Sequence, residues 1–452
     1  MSLSDHPKAY SSAALALAFA AGIAVTLGFK DFYPDLETTY QRKRRELKRA
    51  AKADSARRNS LLWGPVALED HEAHLALPGL DPSTYAAPPV AANGIEDCIG
   101  NTPLIPIQSL SRATGRTILA KAEFMNGAGN SPKDRVALNM IREAEAQGLL
   151  TPHQGDTIYE GTVGSTGISL ATLARAKGYK AHIFMPDDQS HEKSNLLLHL
   201  GATVERVTVA PITDPNHFVN LARRRAAEHA DTYKDGSKGF FANQFESQAN
   251  WQAHFNGTGP EIWRQTGGTI DAFVAGAGTG GTISGVARYL KEEAKTNTLK
   301  IVLADPHGSG LYNKVKYGVM YSPTEKEGTR RRQQVDSIVE GIGINRVTAN
   351  FEAGYDLIDD AVKVTDDQAC RMARWLVEND GIFAGSSTAV NCVAAVVTAM
   401  SLPEGSQLVT ILCDSGTRHV SKLYKHVKEL GLESGDETVP NLFKALGIPE
   451  PK

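Results

Sequence analysis

The stretch TIDAFVAGAGTGGTISGVARYLKEEAK, Thr269 to Lys295, passes from a strand (DAFVA) through a glycine loop (Gly276 to Gly281) into a helix (ISGVARYL). Backbone N–H groups at the start of such a helix point outward and can hold a phosphate, and glycines let a ligand approach the main chain. The loop satisfies GxGxxG, and Asp305 ends the next strand at a distance suited to a ribose. A nicotinamide dinucleotide is one reading of this pattern. A phosphate monoester is another, because Thr279 and Thr282 add two hydroxyls for several acceptor oxygens. A loop that serves packing alone is the third, and the pattern by itself does not separate them.

Outward from this stretch the same alternation continues. RTILAKAEF, DTIYEGT, KAHIFMP and TVERVTV read as strands, separated by helices at Val136 to Gln147, Ile168 to Lys177 and HEKSNLLLHLGA. LKIVLADP and QLVTILCD are later strands, with helical DDQACRMARWLVEND and GIFAGSSTAVNCVAAVVTAM between them. Strands separated by helices imply right-handed crossovers and parallel sheet, hence an α/β fold. Residues 93–430 form the expected catalytic body, with a smaller part at about 130–240, a larger one at about 241–430, and a tail at 431–452.

Three more loops follow strands. NGAGNSPKDR, Asn126 to Arg135, sets Lys133 at a helix entry, where the helix dipole disfavours a cation. Either Lys133 is solvated or its charge is not meant to persist. EGTVGSTG, Glu160 to Gly167, offers the hydroxyls of Thr162, Ser165 and Thr166 and glycine N–H groups, an anion site suited to a carboxylate or simply a capped helix start. CDSGTRH places Ser415 after the last strand, as a helix cap or a ligand contact. In an open parallel sheet the C-terminal strand ends face the ligand crevice. Convergence of all four loops on one crevice is hard to explain as packing.

The N-terminal region has a different character. Ala13 to Phe29 is seventeen residues with Thr26 as the only polar side chain. As a helix it reaches roughly 25 Å, enough for a thin bilayer. Gln41 to Arg58 follows with nine basic residues against two acidic ones, which by the positive-inside rule keeps the body in the cytosol. A signal anchor over 1–30, then a basic helix and linker over 31–92, is the expectation; a cleaved signal or transit peptide and a buried helix are the rivals. The short anchor with its basic flank also resembles signal anchors of the mitochondrial outer membrane.

The composition, 41% hydrophobic and 22% charged over 452 residues, is that of a globular protein, and a net charge of −3 gives no reason to expect nucleic acid. Cys98, Cys370, Cys392 and Cys413 are scattered without metal-ligand or disulfide spacing, so no metal site is expected.

EFMNGAGNSPKDR, EGTVGSTG, NWQAHFNGTGPEIWRQT, GAGTGGT, VEGIG and CDSGTRH occur in an order that resembles the pyridoxal-phosphate enzymes of the cysteine synthase and cystathionine β-synthase family, over roughly Ile95 to Lys425. With the anchor and the Gly-Ala-Gly-Asn lysine loop, the chain resembles the fungal membrane-anchored cysteine synthase-like branch. The resemblance implies a two-domain fold of the tryptophan synthase β type, pyridoxal 5′-phosphate as cofactor, and a homodimer. Lys133 matches the lysine that carries the cofactor, and Gly278, Thr279, Gly280, Gly281 and Thr282 match its phosphate cup. Ser415 matches the hydroxyl on the pyridine nitrogen. Ser165 stands where the family has an asparagine on the phenolic oxygen, and Val163 where it has a serine. Thr162, Gly164 and Thr166 match the substrate-carboxylate loop, Gln244 its helper, and Gly341 and Gly343 the far wall.

The implied reaction is β-elimination and replacement on a serine derivative, most directly O-acetylserine plus sulfide giving cysteine and acetate. Cystathionine β-synthase-like activity, serine or threonine dehydratase activity, and a membrane-tethered protein with a degenerate site are the alternatives. The polar run from Tyr321 to Ser337 reads as an insertion, a candidate lid.

Overall fold

The computed structural model describes residues 94–449 except 190, 297, 321–336 and 433–437. The expected anchor (1–30), the basic helix and linker (31–92) and nearly all of the expected lid lie outside the described residues. Among the described residues no helix is long and apolar enough to cross a membrane.

Among the described residues ten strands form two sheets: β1 (Leu104–Pro106), β2 (Thr117–Ala122), β3 (Thr157–Gly161), β4 (Lys180–Pro186), β5 (Thr203–Val207), β6 (Gly239–Phe241), β7 (Ala272–Gly276), β8 (Lys300–Pro306), β9 (Asp360–Val364) and β10 (Gln407–Leu412). The larger sheet runs β1-β2-β10-β7-β8-β9, and the smaller β5-β4-β3-β6. All pairs are parallel except β1–β2. This is the architecture that strand–helix alternation demands, because a parallel sheet needs both faces covered. In β3 every residue is buried, as are the first four of β7.

Three strands escape the alternation pattern. β1 and β6 have three residues each, too few to show a period, and β1 carries Pro106. β1 lies at the sheet edge, where proline is tolerated. β9, DAVKV, lies on the opposite edge and buries only Ala361 and Val364.

Helix Ser386–Met400 is buried along nearly its whole length and packs in the core of the larger sheet with β10 and β7 strand residues. An all-round apolar helix of this kind has no solvent face to display. Helix Asp366–Asp380 starts at a reciprocal capping box between Thr365 and Gln368 and stops at Gly381, whose φ of 67° suits a left-handed cap. The segment after residue 437 is not merely trailing, because Leu442 and Phe443 of helix Val439–Leu446 join the core of the larger sheet.

Helix Lys133–Ala146 belongs to both layers. Val136, Ala137, Leu138, Met140 and Ile141 pack into the core of the smaller sheet. Its first turn is held instead by ions beside β2. The Arg135 guanidinium grips Glu123 at 2.7 and 2.8 Å and Glu261 at 2.7 and 2.8 Å. Lys121 adds a 2.6 Å contact to Glu261, and Thr102 donates to Glu123 at 2.7 Å. All five residues are buried.

Candidate active site

The loop before helix Lys133–Ala146 is tied into one shape. Asn126 donates to the Glu123 carbonyl and carboxylate and to the Ser131 carbonyl, and its own oxygen accepts from the Gly100 N–H. The Asp134 carboxylate accepts from the Gly129 N–H at 2.7 Å and from the Ser169 hydroxyl at 2.5 Å. A Cβ on Gly127 would come 2.3 Å from Cys98, and one on Gly129 would come 2.7 Å from Asp134. Pro132 fits immediately before the helix because the N–H it lacks would have no intrahelical acceptor there. The loop turns through Asn130, which takes a left-handed φ of 53°.

Lys133 opens that helix and reaches into a cavity of about 2000 Å³. Burial lowers its ammonium below the usual lysine value, with Cys413 and Asp414 acting in the opposite sense. Among the described residues no carboxylate forms an ion pair with it. The lysine at a helix entry is thus less basic than a solvated one.

Around it the cavity is lined by Thr162, Gly164, Ser165 and Thr166, by Gln244, by Gly278 to Thr282, and by Gly341 and Gly343. Of the expected site residues only Ser415 is not among its lining residues. Its hydroxyl accepts from the Thr417 N–H and caps the short turn Gly416–Arg418, while Cys413, Asp414 and Thr417 face the cavity around it.

The loop after β7 is a cradle built for close approach. A Cβ at Gly278 would stand 2.3 Å from the Gly341 oxygen, at Gly280 2.5 Å from the Phe351 backbone, and at Gly281 2.0 Å from Asn250. Among the described residues the N–H groups of Gly278, Thr279 and Gly280 meet no acceptor in the protein. Asn250 holds Thr279 at 3.0 Å and keeps its own oxygen buried and unpaired. Thr282 contacts His254 at 3.2 Å, and burial pushes that imidazole down to about 3, so it is neutral. Free N–H groups, two hydroxyls and a neutral imidazole at a helix start fit a phosphate. Gly280 has φ 86° as well as the Phe351 clash. Gly280→Ala should cost about 2–3 kcal/mol by strain and overlap. The same variant should weaken cofactor retention, measured by denaturant midpoint and by dialysis of the bound chromophore.

The loop after β3 is oriented from beneath. Thr166 donates to the Gln244 side-chain oxygen at 2.6 Å, and Gln244 donates back to Glu160 at 3.2 Å. Glu160 is fully buried, and burial pushes its carboxyl up to about 8 against the opposing Gln244 hydrogen bonds. The folded protein therefore holds a proton there that the unfolded chain releases above its ordinary value of 4.5. This contribution to stability is full below that value, declines as pH rises, and is gone above the folded value, at about 1.4 kcal/mol per unit as an upper bound. Glu160→Gln should lose this dependence. Its urea midpoint relative to the native protein should rise between about pH 5 and pH 8, and a constant difference would contradict the assignment.

Sequence reading missed the residues that support these loops: Asp134 and Ser169, Glu160, Asn250, and Asn391, whose side chain accepts from the Gly276 N–H at 2.7 Å. Asn250, Glu160 and Asp134 stood inside the quoted segments NWQAHFNGTG, EGTVGSTG and NGAGNSPKDR, the signal available. Ser169 and Asn391 are polar residues whose burial no local pattern announces.

The model of the family described as "Pyridoxal-phosphate dependent enzyme" matches residues 95–414. The chain belongs to that family. This pyridoxal-phosphate dependent enzyme is 66% identical over its whole length to all of a Neurospora crassa protein named cysteine synthase 2. It is 55% identical, over 78% of the chain and 89% of the relative, to a Saccharomyces cerevisiae protein named putative mitochondrial cysteine synthase. A solved structure of an O-ureido-L-serine synthase superposes with TM-score 0.63 at 31% identity, covering 76% of this chain and all of that one. Membership supplies pyridoxal phosphate, a phosphate monoester rather than a dinucleotide, as the cofactor.

Proposed function

We propose that this enzyme joins sulfide to an O-activated serine to make cysteine. The observation that carries the reading is the single cavity in which a lysine of lowered basicity, a free N–H cradle and a hydroxyl-rich helix start meet. The names of the relatives fit it. When bound, the cofactor supplies an electron sink for the α-carbon.

The chain supplies the rest. Gly278 to Thr282 hold the phosphate, Lys133 attaches the cofactor through Nζ, and Ser165 serves its phenolic oxygen. Ser415 serves the ring nitrogen by turning its hydroxyl away from Thr417. Thr162, Gly164, Thr166 and Gln244 bind the substrate carboxylate, with Gly341 and Gly343 as the opposite wall. With substrate bound, the Lys133 amine would remove the α-proton, and the leaving group would depart from the β-carbon. In the second half the thiol adds at the β-carbon and Lys133 returns the proton.

Purified protein loaded with cofactor and mixed separately with O-acetylserine and with serine tests the donor. A change in cofactor absorbance with only one, reversed by sulfide or by homocysteine, assigns donor and acceptor. No change with either sinks the proposal.

The same reading takes 93–430 as the catalytic body, divided at about 240, and a homodimer as the working unit, checked by light scattering. It also takes Ala13 to Phe29 as an anchor facing the body to the cytosol, at the mitochondrial outer membrane. The apolar run, its basic flank and the word mitochondrial in the yeast relative's name support this. Full-length protein should resist alkaline carbonate extraction, and protein lacking the first sixty residues should be released. Equal release would refute the anchor.

A further inference from the structure

Beyond β10 the chain turns so that Asp414 and His419 meet, His419 Nε2 lying 3.1 Å from an Asp414 carboxylate oxygen. An ionised carboxylate only accepts, so the Nε2–H donates to Asp414, while Nδ1 faces the Glu340 carboxylate at 4.0 Å. That Nδ1 is buried and has no hydrogen-bond partner, and the other Asp414 oxygen is likewise buried and unpaired. Asp414 is 8% exposed and His419 4%, yet both line the cavity. Gly385 fixes the pair from behind, since a Cβ there would come 2.2 Å from Asp414 and 2.5 Å from His419. Asp414 also lies within electrostatic reach of Lys133. A pair that served only to brace the turn would not leave one ring nitrogen at the cavity wall without a hydrogen-bond partner.

We propose that His419 is the general base for the incoming thiol, with Asp414 as the residue that fixes its tautomer. The inference rests on the cysteine-synthesis reading, in which thiolate and not thiol is the nucleophile. The thiol S–H bond breaks and its proton passes to His419 Nδ1. The freed electron pair forms the S–C bond at the β-carbon, and Lys133 gives back to the α-carbon the proton it removed earlier. His419 is left as imidazolium and releases one proton to solvent, so no oxidant or reductant is needed. The charged groups facing this imidazole are Asp414, Glu340 at 4.0 Å, and beyond Glu340 the ammonium groups of Lys422 and Lys193.

The test uses cofactor-loaded full-length protein, in native, His419→Gln and Asp414→Asn forms. The first half, O-acetylserine without thiol, should proceed at the native rate in His419→Gln. The second half, started with sulfide, should slow about 100-fold in His419→Gln where sulfide is undissociated, in the range of general-base effects. The deficit should shrink as pH rises and the thiolate forms by itself. Independently of activity, ¹⁵N-histidine spectra of the native protein, assigned by difference from His419→Gln, should show an Nε2–H tautomer that Asp414→Asn shifts. An Nδ1–H tautomer, or a second half unchanged in His419→Gln, overturns the inference. Failure of the native protein in the first half overturns the cysteine-synthesis reading, and the base assignment with it.

Discussion

Lys133→Ala is expected to abolish turnover, by about 10³-fold or more, while leaving the fold and the phosphate cradle intact. Its side chain is the one amine lining the cavity whose basicity burial lowers while no carboxylate pairs with it among the described residues. On the proposed mechanism, removing it deletes both the attachment point and the base for the α-proton. Cofactor should still bind through Gly278 to Thr282, now released by dialysis and without the visible absorbance of covalent attachment. Added primary amines should restore a small part of the rate, because a free amine can occupy the space the side chain leaves. A variant with undiminished turnover, or with unchanged covalent absorbance, would falsify the assignment of Lys133.

Arg135→Met should carry the largest stability cost, about 3–5 kcal/mol, because it leaves two buried carboxylates facing one remaining cation. Arg135 depresses the Glu123 carboxyl and helps hold Glu261 at about 2 against the burial that raises both. With the guanidinium gone, only Lys121 remains for two anions. Adding Glu123→Gln to Arg135→Met should return part of the loss, since an uncharged amide tolerates burial better than an unpaired carboxylate. Urea unfolding of the single and double variants measures both effects. A single-variant cost under about 1 kcal/mol would mean that the cluster is hydrated in solution.

How much was legible in the sequence follows from where each signal lies. DAFVAGAGTGGTISGVARYL declared strand, loop and helix because glycine placement and apolar runs are local properties. The four ligand loops were legible for the same reason, and thirteen of the fourteen expected site residues line one cavity. Ser415 is the exception, because whether a hydroxyl caps its own turn or faces a ligand depends on a rotation that no sequence pattern records. The Asp134–Ser169 contact joins residues thirty-five apart, and Arg135–Glu261 joins residues 126 apart. Such pairs are made by the assembled layers, and their members look like ordinary surface residues until the layers exist. Helix Lys133–Ala146 also begins three residues before the apolar pattern does, since its first turn is organised by ions rather than by burial.

The pairing of β2 with β10 has a consequence in time. Thr117 meets Gln407, so the centre of the larger sheet waits for the last strand to be made. β3 to β6, by contrast, all lie between Thr157 and Phe241 and need nothing downstream to pair with one another. During synthesis the smaller sheet can form early, while β2 remains without β10 for nearly 300 residues. Distant pairing of this kind slows folding and leaves apolar edges open meanwhile. A nascent chain halted before residue 407 should therefore be open to protease around β2 while its smaller sheet resists.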